Sequence, residues 1–175
     1  MGNKPSSYNT LSKILHWGSA ITVFGLFAAG YWMVDLSYYS EWYNTAPHWH
    51  KSMGILLCCV TIIRLLWKVL SPAPAILGSP LERKAAISAH HLLYLLLFTL
   101  FTTGYLISTA DGRGIDVFDW FEVSGMGSFF EDQEDLAGLV HRYTAYTVMG
   151  LVSIHAIAAL KHHFINKDNT LKKML

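Results

Sequence analysis

Between Ile14 and Val34, and again between Ala85 and Ala110, the chain carries no Asp, Glu, Lys or Arg. At about 1.5 Å per helical residue each run spans the roughly 30 Å of hydrocarbon in a bilayer, so both predict transmembrane helices. A third run, His50 to Leu70, is interrupted by Arg64, and a fourth, Leu136 to Leu160, carries Arg142 near its start. Composition agrees: 53% of residues are hydrophobic and 14% charged, against about 25% charged in a soluble domain. The first run exceeds the roughly 7 to 15 apolar residues of a secretory signal, so it is expected to stay as a span. The expectation is an all-α integral membrane four-helix bundle, one domain over residues 1–175 with spans near 14–36, 50–70, 86–109 and 136–160.

Four spans put both termini on one side. Ten of the thirteen Lys and Arg residues fall on that side, leaving Lys51, Arg113 and Arg142 on the other. By the positive-inside rule both termini are expected to be cytoplasmic. Ten acidic residues collect opposite, among them Asp111, Asp116, Asp119, Glu122 and Asp135, for a formal charge of −7 there. Tyr38, Tyr39, Trp42, Tyr43 and Trp49 suit an aromatic belt at that interface. Pro72, Pro74 and Pro80 mark a cytoplasmic connector. The segment from Asp111 to Asp135, rich in Gly and aromatic residues, is expected to fold over the outer end of the bundle. Cys58 and Cys59 are adjacent and read as buried free thiols; no CxxCH attachment motif occurs.

Nine histidines in so apolar a chain demand a role, because strongly polar groups inside a bilayer are costly. His141 and His155 lie fourteen residues apart, about 40° short of four full helical turns and about 21 Å apart along the axis. They share a face at two depths, which suits two stacked sites and excludes one compact site using both. Topology supplies a partner at each depth: His16 is level with His155 on the cytoplasmic side, and His50 with His141 on the outer side. Pairs of imidazoles from different helices, with no open iron position, fit two non-covalent haems serving electron transfer. Ser19, Ala20, Gly54, Gly138, Ala145, Ala158 and Ala159 are small neighbours that suit a flat macrocycle or ordinary helix packing. Arg64 calls for a haem propionate or a snorkelling route. His90 and His91 diverge by about 100°, so at most one faces the centre squarely; His91 is the candidate for a propionate or quinone hydrogen bond, with a structural role the alternative. His48, His162 and His163 read as interfacial or helix-terminal.

The segments Ile14-Leu15-His16-Trp17, His50-Lys51-Ser52-Met53-Gly54-Ile55-Leu56, His91 to Leu95 with Tyr94, the His141 and His155 spacing, and His162-His163-Phe164 through Lys167-Asp168-Asn169-Thr170-Leu171 together resemble the bacterial cytochrome b561 family. The resemblance runs along nearly the whole chain. It implies a dihaem inner-membrane cytochrome b with two haem b groups on His16, His50, His141 and His155, exchanging electrons with membrane quinone. Some members are associated with superoxide oxidation at the outer face; an acidic outer surface repels that anion, which favours a quinone or a periplasmic redox protein as partner. The expected function is single-electron transfer across the inner membrane between quinone and a periplasmic-side donor or acceptor, by an electron-transfer protein or quinone-linked oxidoreductase. The alternatives are superoxide oxidation coupled to quinone reduction, a haem-bearing anchor subunit of a larger oxidoreductase, and a histidine-lined metal transporter. Membrane lipid is an expected partner and nucleic acid is not.

Overall fold

The computed structural model describes residues 5–175. Four long helices, α1 (Thr10–Met33), α2 (Thr45–Leu70), α3 (Pro80–Ser108) and α4 (Gln133–Phe164), account for most of the chain, each long and apolar enough to cross a membrane. A two-stranded antiparallel hairpin, β1 (Ile115–Val117) and β2 (Phe121–Val123), sits between α3 and α4, and a 3₁₀ turn (Leu171–Met174) follows α4. The all-helical expectation holds for the spans, and the hairpin is an addition to it. Helices start where local chemistry favours it. Asn9 caps α1 by accepting from the Ser12 amide at 2.9 Å. Ser79 and Glu82 form a reciprocal capping box at α3, with Pro80 in the first turn where its missing N–H costs nothing.

The outer surface of the bundle is apolar. Ile21, Ile62, Val69, Leu95, Ile154 and Ile157 all point away from it, the arrangement expected of helices solvated by lipid. Hydroxyls within the spans donate to the carbonyl one turn back, as in Ser19 to Leu15 and Thr61 to Leu57, which satisfies them without water. Cys58 and Cys59 are free, but Cys59 is exposed on the lipid-facing surface; the step between adjacent helical residues turns one thiol outward while the other stays half-buried, correcting the expectation that both are buried.

α1 packs most extensively on α2, and α3 on α4. The two hairpins of helices face each other through side chains, including Phe27 on Tyr146 with ring centroids 5.8 Å apart.

Both ends of the bundle are tied. At the end holding the termini, the Tyr8 amide donates to the Lys173 carbonyl at 3.1 Å, the Lys173 ammonium donates to the Ala75 carbonyl at 2.7 Å, the Trp17 indole donates to the Met174 carbonyl at 2.8 Å, and Lys13 donates to the Leu175 carbonyl. Lys161 on α4 pairs with Glu82 on α3 at 2.6 Å. At the other end the Asp111–Asp135 segment does fold onto the bundle. The fully buried Ser52 of α2 donates to the Asp116 carbonyl at 3.2 Å and accepts from the Phe118 amide at 3.1 Å. Buried Gln133 likewise donates to the Leu106 carbonyl and accepts from the Phe129 amide.

Candidate functional site

Four histidines meet between the helices as two pairs. His16 on α1 faces His155 on α4 with ring centroids 6.4 Å apart, and His50 on α2 faces His141 on α4 with centroids 6.3 Å apart. A metal–imidazole bond of about 2.0 Å, plus roughly 1.2 Å from ring nitrogen to centroid, sets two trans imidazoles about 6.4 Å apart across one metal ion. Both pairs match that spacing. The fourth helix serves both, because fourteen residues return to nearly the same face.

The hydrogen bonds at the ring nitrogens bear on whether they could hold a metal. The Leu100 carbonyl only accepts, so His141 donates Nδ1–H to it at 3.1 Å, and Thr103 Oγ lies a further 3.1 Å contact away. The Thr103 hydroxyl itself donates to the Thr99 carbonyl at 2.7 Å, leaving an oxygen lone pair towards His141. This fixes the tautomer with Nε2 unprotonated, the form that binds a metal. His50 Nδ1 is buried without a hydrogen-bond partner among the described residues. At the other pair, Arg64 Nη2 donates to His16 Nδ1 at 2.7 Å, so that nitrogen accepts and the neutral ring carries its proton on Nε2; holding a metal through Nε2 would require that proton on Nδ1 and Arg64 turned to another acceptor. The guanidinium also lies 5.8 Å from the Tyr94 ring centre. Among the described residues a fixed positive charge thus contacts one pair and not the other.

Two glycines that sequence reasoning missed make room for the His50–His141 pair. A Cβ at Gly30 would stand 3.2 Å from His50 Cε1, and one at Gly104 would stand 3.3 Å from His141 Cε1. The signal available was a glycine inside an apolar helix, where it costs about 1 kcal/mol relative to alanine and usually marks a close approach. By contrast a Cβ at Gly54 or Gly138, both expected to shape the site, would touch nothing within 4 Å.

Of the two adjacent histidines on α3, His90 reaches the cluster: its ring lies 5.3 Å from His155. His91 is exposed, because the 100° step that brings His90 inward turns it outward. Lys68 stands 5.2 Å from the Tyr94 ring centre, adding a second cation near Arg64. His48 sits outside the pairs against Phe118, with centroids 6.4 Å apart. His162 pairs with Asp168 at 2.6 Å, and His163 Nδ1 is buried with no hydrogen-bond partner among the described residues.

Long lipid-facing helices that bring two imidazole pairs together from different helices form a frame suited to a membrane cytochrome. The model of the prokaryotic cytochrome b561 family matches residues 7–175. Among similar proteins, cytochrome b561 homolog 2 of Escherichia coli (strain K12) is 52% identical over 175 residues, covering 99% of this chain and 93% of that protein. Cytochrome b561 homolog 1 of the same organism is 29% identical, with 92% of each chain covered. The probable superoxide oxidase CybB of Yersinia pestis is 29% identical over 128 residues, covering 72% of each. The chain belongs to the prokaryotic cytochrome b561 family, and is a multi-pass bacterial membrane protein that binds haem b and transfers electrons.

Proposed function

We propose that the chain holds two haems b, one between His16 and His155 and one between His50 and His141, and carries single electrons across the inner membrane. The reading has quinone in the membrane as one partner and a periplasmic donor or acceptor as the other, with both termini in the cytoplasm. The observation that carries it is the pair of ring separations, 6.4 Å and 6.3 Å, both suited to one iron between two imidazoles. Haem held by these histidines would supply a one-electron couple suited to electron transfer.

The protein's part is to hold ligands, set charge and exclude water. Leu100 and Thr103 orient His141 and increase its basicity through Nδ1. Arg64 is assigned as the counter-charge to a propionate of the cytoplasmic-side haem. The hydrogen-bonding role expected of His91 passes in this reading to His90, whose ring is already against His155. An apolar cavity of about 600 Å³ between α1 and α2, lined by Gly25, Ala29, Trp32, Trp49 and His50 among others, gives a planar apolar group access to the outer pair.

Haem stoichiometry and the spectra of purified protein test the ligand assignment. The wild type is expected to carry two haems per chain and His141→Ala one, or one normal and one altered; two haems with unchanged spectra in that variant would sink the assignment. Superoxide oxidation is the second reading, favoured by the name of the Yersinia pestis relative and opposed by the acidic outer segment. Rapid mixing of the oxidised protein with superoxide and with quinol separates the two, since only the second reading predicts fast haem reduction by superoxide.

A further inference from the structure

The hairpin β1–β2 has a turn that its residues do not favour. Val117 pairs with Phe121, and the intervening Phe118 and Asp119 have φ of 49° and 58°. Left-handed backbone at two consecutive non-glycine residues is costly, and hairpin turns of this hand normally use Asn or Gly. The conformation is held by Ser52, which grips the backbone on both sides of Val117, and by burial of Ile115 and Val117. Its effect is to aim two rings. Phe118 lies inward against Trp49, centroids 5.2 Å apart, and Trp120 lies on its outer side at 5.3 Å. Trp49 lines the same cavity as His50, while Trp120 is 72% exposed. Aromatic contacts therefore run from an exposed indole to a neighbour of the outer histidine pair.

The charge around that indole names its partner. Asp116 and Glu122 are directly opposed across the hairpin, a like-charge pairing that weakens a ladder. Both are exposed, as is Asp119 at the turn, and among the described residues none of the three has an ion-pair partner. From Asp111 to Asp135 there are eight acidic residues and one basic one, Arg113, which is already paired with Asp111. A ring destined for lipid headgroups is poorly served by three uncompensated carboxylates beside it. A cationic protein face gains from all three.

We propose that the exposed Trp120 face of this hairpin is the docking surface for a soluble electron-carrier protein whose own docking face is positively charged. The proposal rests on the reading that electrons are exchanged at this end of the bundle, and names the class of partner. One electron passes between the carrier's redox centre and the iron held by His50 and His141, one centre being oxidised as the other is reduced. No bond forms or breaks and no proton moves. Opposite charge steers the encounter, and such steering changes association rates by about 10- to 1,000-fold.

Stopped-flow spectroscopy of the purified holoprotein tests this, using a basic c-type cytochrome and an acidic flavodoxin as probes, each supplied reduced and oxidised so that either direction of transfer is seen. The basic carrier is expected to react at least about tenfold faster at low salt, and to lose that advantage as the Debye length shrinks from about 10 Å to about 3 Å between 0.1 M and 1 M salt. The triple variant Asp116→Asn, Asp119→Asn, Glu122→Gln is expected to flatten the salt dependence with unchanged haem spectra. Trp120→Ala should slow the limiting rate at saturating carrier several-fold, and Trp120→Phe should restore most of it. An acidic carrier as fast as the basic one, or a triple variant with wild-type salt dependence, overturns the proposal. So does quenching of Trp120 by lipids brominated in their acyl chains. Haem reduction by quinol, measured on the same preparations, keeps the two readings apart: if it persists while the carrier fails to react, only the docking surface is wrong, and if it is absent the quinone reading fails on its own.

Discussion

At the level of single residues, the two histidine pairs differ in what stands behind them. His141 donates a hydrogen bond to a neutral carbonyl, whereas His16 receives one from a cation. A positive charge close to a redox centre stabilises the form carrying the extra electron. Arg64→Gln is therefore expected to lower the midpoint potential of one haem by on the order of 60 mV, equivalent to a tenfold change in a one-electron equilibrium. The other haem should stay where it was, which a redox titration followed in the visible bands resolves. The two glycines facing the His50–His141 pair make a complementary prediction. Gly104→Val places methyl groups where a single Cβ would already stand 3.3 Å from His141, so the outer haem should be lost or altered in spectrum and the other retained. Gly138→Ala, with no atom nearby to meet, should keep both.

At the scale of elements, α4 is the shared wall of both sites, and its end is anchored by the segment that follows it. Asp168 turns back onto His162 at 2.6 Å and accepts from the Thr170 amide at 2.8 Å. Burial works against ionising this carboxyl, but hydrogen bonds from Thr170 and His162 outweigh it and hold the pKa down at about 2, below the ordinary 3.8. A carboxyl with a depressed folded pKa contributes stability above its unfolded value and loses it as pH falls through the folded one. The anchoring is thus expected to be complete above about pH 4 and to weaken progressively towards pH 2. Limited proteolysis of the tail with an acid-active protease across that range measures it. Asp168→Asn should leave the tail susceptible at every pH, and equal protection in the variant and the wild type would refute the anchoring role.

For the molecule as a whole, charge asymmetry predicts which side is which. Reporter fusions at Leu175 should be active in the cytoplasm, and a cysteine placed at exposed Ser124 should be labelled by a membrane-impermeant reagent from outside; the opposite pattern would reverse the orientation. The four spans and the division of histidines by depth were legible because both depend only on hydropathy and on distance along a helix. The rotational details were not. When a helix is apolar on the lipid side and the inner side alike, hydrophobicity carries little information about which face turns inward. That is why His91 stood as the candidate where His90 proved to touch His155, and why Cys59 was expected to be buried. Gly30 and Gly104 escaped notice for a related reason: each matters through a ring on a different helix, and nothing adjacent in sequence points to it. The hairpin is only three residues per strand, too short to show alternation, and its turn lacks the Asn-Gly signature that would have announced it.

Because α4 supplies one imidazole to each pair, the order of biosynthesis limits when the cofactors can arrive. While the ribosome is still extending the first three helices, the membrane holds His16 and His50 without their opposite ligands. On the proposed ligation, haem loading belongs to the finished polypeptide, and a chain interrupted before α4 would enter the bilayer lacking a complete site of either kind.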